Sequence, residues 1–295
     1  MAAIIQAEHL VKKFSEVRAV DDISFSVEQG VLFAFLGGNG AGKTTTIRMI
    51  SGQIPQDSGN IRMNGKILDE KREDLRGRIG VVHQESLLDR ELSTLDNLRC
   101  RAALYGIKGL EFEKRLDELD QMLSFRGYEK KPLSKLSGGQ KRKIDIVRAL
   151  LHRPSILILD EPTIGLDPEA RKGIWKVVKN LQQEESMTVF LTTHYMEEAK
   201  DADYIVIMKE GKTVAEGTPH ELKTKYARDY LTIYGINRED ADRLGIPYRP
   251  IAGGFRFEIA NLSEVVGGIQ RNSELFRDFE VVKGSMDDVF LNVVR

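Results

Sequence analysis

Cysteine, long apolar runs and an excess of charge are all scarce in this 295-residue sequence. Cys100 is the single cysteine, which excludes an internal disulfide framework and predicts a small buried residue in a reducing compartment. The apolar runs are far too short to cross a bilayer, and Glu8 and His9 interrupt the N-terminal run, unlike a signal peptide. A formal net charge of −1 gives no broad surface for nucleic acid or an anionic membrane. We therefore expect a cytoplasmic protein.

Short β-branched and aromatic runs alternate with longer stretches of helical period through most of the chain. The runs are ISFSV, VLFAFL, RIGVV, SILILD, MTVFLTT and YIVIMK. This alternation predicts an α/β fold with a mostly parallel sheet covered by helices. The stretch between Ser93 and Phe125 lacks strand character. We therefore predict a helical insert over about residues 85–150, with a helix cap at Ser93 or Thr94.

The pattern changes beyond Gly217. TPHELKTKY predicts a last helix of the first domain, and DYLTIYG, GFRFEIA and FEVVKG then predict three short strands separated by helices. We therefore predict a first domain over residues 1–226 and a small C-terminal α+β domain over residues 227–295.

The segment GGNGAGKTT, residues 37–45, follows the strand VLFAFL and opens an apolar helix. Its spacing and context are those of a P-loop, in which backbone N–H groups wrap phosphates. Lys43 is placed to reach the β- and γ-phosphates, and the Thr44 hydroxyl can ligate Mg²⁺. The predicted nucleotide-binding positions of this loop are Gly37, Asn39, Gly40, Ala41, Gly42, Lys43, Thr44 and Thr45.

The segment SILILDEPT is an apolar strand that ends in two acids. In P-loop proteins such a strand end faces the phosphates. Asp160 is then placed to hold Mg²⁺ through water, and Glu161 to polarise the water that attacks the γ-phosphate. The alternative is that Glu161 only caps a turn before Pro162.

A second anion-binding pattern lies well after the P-loop, in LSGGQKRKID. Ser137, Gly138 and Gly139 leave backbone N–H groups uncovered at the positive end of a predicted helix, and basic side chains follow. The sequence therefore predicts two separate grips for an anion in one chain.

Taken together, these motifs resemble the nucleotide-binding subunits of ABC transporters. GGNGAGKTT, Gln84, LSGGQ, ILILDEP, GLD (residues 165–167) and His194 occur in that family's order and approximate spacing, over about residues 4–217. The resemblance implies an ABC-type P-loop ATPase that hydrolyses ATP with Mg²⁺ and docks head to tail with a second copy of itself. The signature loop of one copy then closes on the γ-phosphate held by the P-loop of the other.

The resemblance also implies roles for matching positions. Gln84 would sense the γ-phosphate, help to hold the metal and link both to the membrane partner. His194 would hold the γ-phosphate beside Glu161, and Asp167 would couple the two sites. The positions implied to contact the opposite copy's nucleotide are Ser137, Gly138, Gly139 and Gln140.

Phe14 is the position that the resemblance implies for stacking on adenine. The family commonly has tyrosine there, and often has proline where this chain has Gly38 and His83. Taken singly, Phe14 could instead belong to the core, Gln84 to a solvated loop and His194 to a local cap.

The tail KGSMDDVFLNVV, residues 283–294, resembles the terminal segment of the ATPases of daunorubicin-type drug exporters. Ser285 and Asp288 predict a capping box ahead of an apolar helix face. The resemblance implies export of a drug, lipid, peptide or other small molecule.

The membrane partner implied by the resemblance is a set of separately encoded permease subunits, which would hold this chain on the inner face of the cell membrane. The leucines of ESLLDRELSTL, residues 85–95, either line the groove where that partner docks or fill the insert's own core. The alternative function is a soluble ABC-type ATPase in translation or DNA repair. The translation type usually joins two ATPase units in one chain, and the repair type inserts a long coiled coil; this sequence shows neither feature. Its near-neutral charge also predicts no nucleic-acid partner. A further alternative is a purely regulatory nucleotide binder. Glu161 argues against it, because it is the acid predicted to polarise the attacking water.

Overall fold

The computed structural model describes residues 3–68, 77–260 and 262–294. The chain divides into two compact units, Met1–Glu216 and Gly217–Arg295. Along the parts that the structure describes, no helix is both long and apolar enough to span a membrane.

Two sheets build the first unit. In chain order the strands are β1 (Ala3–Phe14), β2 (Val17–Glu28), β3 (Leu32–Leu36), β4 (Ser58–Met63), β5 (Lys66–Ile67), β6 (Ile79–Val82), β7 (Ile156–Asp160), β8 (Thr188–Thr193), β9 (Tyr204–Lys209) and β10 (Lys212–Gly217). The helices are α1 (Lys43–Ile50), α2 (Thr94–Leu104), α3 (Gly109–Leu123), α4 (Gly138–Leu150), α5 (Pro168–Gln183) and α6 (Met196–Ala199).

The larger sheet has the strand order β10-β9-β3-β8-β7-β6, and its neighbours from β9 to β6 run parallel. Every residue of β3, β7 and β8 is buried, as expected for central strands covered on both faces. Leu36 lies opposite Thr193, and Asp160 opposite Thr192. The carboxyl ends of these three strands therefore meet at one edge, where parallel sheets bind ligands.

The smaller sheet is antiparallel, in the order β2-β1-β4-β5. Of its strands the sequence predicted only part of β2. The sequence analysis did not predict β1, because the pairing of this strand with β2 shifts register several times, including between Ala7 and Leu10. His9 takes a positive φ of 53° at that irregularity. Such bulges break the alternation of apolar and polar residues by which a strand is recognised in a sequence.

The insert between β6 and β7 is helical, as predicted, and holds α2, α3 and α4 with short 3₁₀ turns at Arg126–Tyr128 and Leu133–Lys135. Ser93 caps α2 by accepting a hydrogen bond from the Asp96 backbone N–H at 3.1 Å, so the first of the two predicted caps is confirmed. Cys100 is exposed, and its predicted burial was wrong. Leu98 and Ala102 form the buried face of α2, and Cys100 lies between them on the other side.

The second unit contains α7 (Pro219–Tyr226), β11 (Asp229–Tyr234), α8 (Arg238–Arg243), β12 (Tyr248–Ile251), β13 (Gly254–Ile259), α9 (Leu262–Arg271), β14 (Phe279–Val282) and α10 (Met286–Val294). Its antiparallel sheet has the order β12-β13-β11-β14, and β11 to β14 follow a β-α-β-β-α-β pattern. The sequence missed β12, which contains Pro250 and alternates weakly. Ser285 and Asp288 form the predicted capping box at α10, which is confirmed.

The observed division between the units falls after Glu216, ten residues before the predicted boundary at residue 226. The difference is α7, which packs against α10 inside the second unit. Tyr226 also accepts a hydrogen bond from the Asn292 side chain at 2.9 Å through its backbone carbonyl. The local helical pattern of α7 is visible in the sequence, but its distant packing partner is not.

Candidate active site

The P-loop links β3 to α1 and lines a cavity of about 770 Å³. Gly40 and Gly42 take φ values of 78° and 102°, which side chains rarely tolerate. A Cβ on Gly42 would also lie 2.4 Å from the Ala19 carbonyl oxygen. The glycines are therefore required by the path of the loop. Of the predicted loop positions, Gly37 does not line the cavity, and those that do are Asn39, Gly40, Ala41, Gly42, Lys43, Thr44 and Thr45.

The Lys43 ammonium is held at the centre of this loop. Its Nζ donates to the carbonyl oxygens of Gly37 at 2.8 Å and Gly38 at 3.1 Å. It also lies 3.5 Å from Glu161 Oε1. Burial lowers the pKa of Lys43, and the Glu161 carboxylate opposes that shift. The arrangement brings one cation to the place where the sequence predicts phosphate oxygens.

Asp160 ends β7 and faces two hydroxyls. Its Oδ1 accepts a hydrogen bond from Thr192 Oγ1 at 2.5 Å and another from Thr44 Oγ1 at 3.3 Å. The Thr44 and Asp160 oxygens that the sequence predicted for a metal thus lie side by side. Thr192 was not predicted, although it stands two residues before His194 at the same sheet edge. The two threonines that follow the apolar residues of β8 at this edge were the available signal.

Glu161 is buried and takes a φ of 46°, a left-handed conformation that is uncommon outside glycine. Its carboxylate lies between Lys43 and His194, with Oε2 at 3.2 Å from His194 Nδ1. That nitrogen makes no hydrogen bond to any part of the chain that the structure describes. The carboxylate therefore faces the cavity, and the alternative of a turn cap before Pro162 does not fit its direction.

Gln84 and His194 line the same cavity, which is completed by Val17, Arg18, Ala19, Glu161, Ile164 and Glu210. Phe14 does not line it. Its side chain is 47% exposed at the end of β1, with Lys12 Nζ 5.7 Å from the ring centroid, so it is not a core residue either. Val17, which pairs with Phe14 across the hairpin, does line the cavity.

The second anion-binding pattern lies at the start of α4, and its residues do not line the P-loop cavity. Ser137 caps the helix by accepting from the Gln140 N–H at 3.3 Å, and Gln140 Oε1 accepts from the Ser137 N–H at 3.0 Å. A Cβ on Gly139 would lie 2.8 Å from Ala170 Cβ, so this glycine permits close packing on α5. Asp167 caps α5 by accepting from the Ala170 N–H at 2.8 Å.

Apart from Phe14 and Gly37, the predicted site residues fall into two groups. The P-loop, Gln84, Glu161 and His194 share one cavity, with Asp160 bonded to Thr44 at its edge. The signature residues Ser137, Gly138, Gly139 and Gln140 gather with Asp167 where α4 meets α5, and none of them lines that cavity.

A parallel sheet with a P-loop after one strand and paired acids at the end of the next strand but one in the sheet defines a P-loop ATPase. The family model described as "ABC transporter" matches residues 20–164. The linearmycin resistance ATP-binding protein LnrL of Bacillus subtilis (strain 168) is 41% identical over 238 residues, which cover 79% of this chain and 76% of that protein. The Nod factor export ATP-binding protein I of Ralstonia nicotianae is 38% identical over 237 residues, 79% of this chain and 73% of that protein.

Among solved structures, cbiO1 from Clostridium perfringens, part of the ABC transporter complex cbiONQ, superposes with a TM-score of 0.68 at 32% identity. The match covers 75% of this chain and 91% of that one. The chain therefore belongs to the ATP-binding proteins of ABC transporters, and it is an ATPase of that family. The predicted family, fold class and enzyme activity are confirmed.

Proposed function

We propose that two copies of this chain sandwich two Mg-ATP head to tail and that their closure drives a separate export permease. The observation that carries the proposal is the separation of the two anion-binding patterns, the P-loop and the segment that begins at Ser137. Ser137 caps a helix with its oxygen lone pair, so its O–H remains able to donate to an anion, yet the cavity with Lys43 does not contain it. A second copy offers its own Ser137 to that cavity.

The chemistry follows from the cavity's side chains. Lys43 binds the β- and γ-phosphates, and His194 holds the γ-phosphate beside Glu161. Glu161 accepts a hydrogen bond from the attacking water and serves as its general base or orienting group. Thr44, Asp160 and Gln84 supply one carboxylate and two neutral oxygens, which suits a Mg²⁺ that keeps waters and phosphate oxygens as its other ligands. Bound there, the ion would supply positive charge against the negative charge that develops on the phosphate chain.

The permease partner is supported by the exposed apolar side chains that follow Gln84. Leu87 is 65% exposed and Leu92 is 40% exposed, so these two do not fill the insert's own core. Exposed leucines beside a nucleotide-sensing residue suit a docking groove for a partner helix. The names of the relatives, which refer to linearmycin resistance and Nod factor export, favour export as the direction. The chain would then lie on the inner face of the membrane through its permease.

The head-to-tail arrangement is tested with a mixed dimer. Lys43→Ala removes the phosphate-binding cation, and Ser137→Arg puts a bulky side chain where the opposite γ-phosphate is met. With one substitution in each chain, pairing in trans places both lesions in one site and leaves the other intact. We expect the purified mixed dimer to trap about one nucleotide where the wild type traps about two.

The matched control places both substitutions in one chain and pairs it with a wild-type chain. Pairing in trans then damages both sites, and we expect no trapping. Pairing in cis would reverse the two results, since the wild-type chain would keep a whole site. Trapping by the control dimer and not by the mixed dimer would refute the head-to-tail proposal.

A further inference from the structure

A single buried arginine joins three elements behind the site. Arg142 lies on α4 and is 6% exposed. Its Nε donates to the Pro162 carbonyl oxygen at 2.5 Å, and its Nη2 donates to the carbonyl oxygens of Glu161 at 2.7 Å and Asp160 at 3.3 Å. Its Nη1 donates to the His83 carbonyl oxygen at 2.5 Å. Arginine alone offers this many donors in a rigid planar fork.

These bonds surround a strained residue of the site. Glu161 takes a left-handed φ of 46°. A non-glycine residue in that region persists where the surrounding structure over-determines it. Arg142 binds the carbonyls of Glu161 and of its two neighbours, so the backbone on both sides of the strained residue is fixed.

Arg142 and its helix also bond to the segment that follows the neighbouring strand, β6. His83, which accepts from Nη1, follows β6, and β6 pairs with β7 in parallel. One turn further along α4, Asp145 Oδ1 accepts a hydrogen bond from Ser86 Oγ at 2.8 Å. The segment of residues 83–86 is thus bonded to α4 at two points. Arg142 does not line the nucleotide cavity, so its influence on the reaction must pass through other residues.

We propose that Arg142 is a positioning residue for ATP hydrolysis, which holds the Glu161 carboxylate in place through the backbone carbonyls around it. No step requires Arg142 to touch the nucleotide. The same hydrogen bonds link the position of Glu161 to α4, the helix that begins at the signature motif.

The test is Arg142→Lys, which keeps the positive charge but offers one ammonium in place of a planar fork. We expect nucleotide affinity, measured with a fluorescent ATP analogue, to stay within about twofold. Single-turnover hydrolysis should slow by about tenfold to 10²-fold, the range expected when a reacting group is misplaced by around 1 Å. Unchanged hydrolysis in a folded variant would overturn the proposal.

Arg115→Lys is the matched control. Arg115 is 8% exposed and also donates to backbone carbonyls, at Leu151 from Nε (3.2 Å) and at Leu150 from Nη2 (2.5 Å). Both substitutions should lower the thermal midpoint by a few degrees, but Arg115→Lys should leave single-turnover hydrolysis within about twofold. Equal slowing in the two variants would reduce Arg142 to a general structural role.

A double-mutant cycle tests whether Arg142 acts through Glu161. In a Glu161→Gln background no catalytic carboxylate remains to be positioned, so Arg142→Lys should slow single-turnover hydrolysis by less than about threefold further. The full effect in that background would show that Arg142 acts by another route. Arg142→Gln, which keeps two amide donors, is the second variant for the same cycle if the lysine variant does not fold.

Discussion

At the residue level, Glu161 shows how environment selects a role for one carboxylate. It is buried, its Oε1 lies 3.5 Å from Lys43 Nζ, and its Oε2 lies 3.2 Å from His194 Nδ1. The Lys43 ammonium and the His194 ring therefore flank the carboxylate at the wall of the cavity. Thr192 donates a hydrogen bond to the side chain of Asp160, the residue before Glu161, and so helps to fix its orientation.

Replacing Glu161 with Gln preserves the shape of the side chain and removes its charge and basicity. We expect ATP binding to remain nearly intact and hydrolysis to slow by at least ~10²-fold, as for loss of a general base or water-positioning group. ATP-bound dimers should then accumulate on a sizing column. The control is Glu118→Gln, which removes one charge from the pair with Arg115 on α3 and should change turnover by less than about twofold. Undiminished hydrolysis in Glu161→Gln would remove this residue from the mechanism.

At the level of elements, the site motifs were predictable because each is local. The P-loop needs residues 37–45 alone to define its turns, and the acid pair needs only the end of β7. Three features depend on distant contacts and were missed or left open. These are the bulged strand β1, the packing of Gly139 on Ala170, and the bonds from Arg142 to carbonyls at the ends of β6 and β7. Nothing in the sequence near these residues reports which partner they meet.

His152 connects the end of α4 with α2 and β6, and it is built to stay neutral. Its ring stacks on Tyr105 with centroids 4.1 Å apart, and its Nε2 lies 3.1 Å from the Ile79 carbonyl oxygen. Burial lowers the pKa of His152, and the nearby Arg101, Arg148 and Arg115 cations lower it further. Protonation would place a hydrogen on Nδ1, which is buried and has no acceptor among the described residues.

This histidine should make the first unit sensitive to acid. Because its folded pKa is below the ordinary value of 6.5, the unfolded chain binds the proton first, so stability is lost as pH falls through about 6.5. The contribution is at most about 1.4 kcal/mol per pH unit. His152→Gln, whose amide can still donate to Ile79, should flatten the dependence between pH 6.5 and 5.5. Unfolding by denaturant is followed through Trp175, the single tryptophan. The exposed His220→Gln is the control, and an equal slope in wild type and His152→Gln would contradict the prediction.

At the scale of the whole molecule, we expect the first unit to bind the nucleotide by itself. Glu210 is the last residue that lines the cavity, and the second unit begins at Gly217. A chain that ends at Gly217 keeps β10 and should bind Mg-ATP within about twofold of the full chain. Isothermal titration with a slowly hydrolysed ATP analogue measures this. Loss of affinity in a folded truncation would show that the second unit contributes to the site.

The same experiment separates the observed boundary from the one that the sequence predicts. A chain that ends at Tyr226 retains α7 but loses α10, against which α7 packs. Leu222 of α7 is 1% exposed in the full chain, and its removal from apolar surroundings costs about 1.5–3 kcal/mol. We therefore expect the 1–226 chain to expose apolar surface and to aggregate at lower temperature than the 1–217 chain, as followed by light scattering during heating. If the 1–226 chain is the more soluble of the two, α7 belongs with the ATPase unit, and the packing of α7 on α10 does not define the boundary.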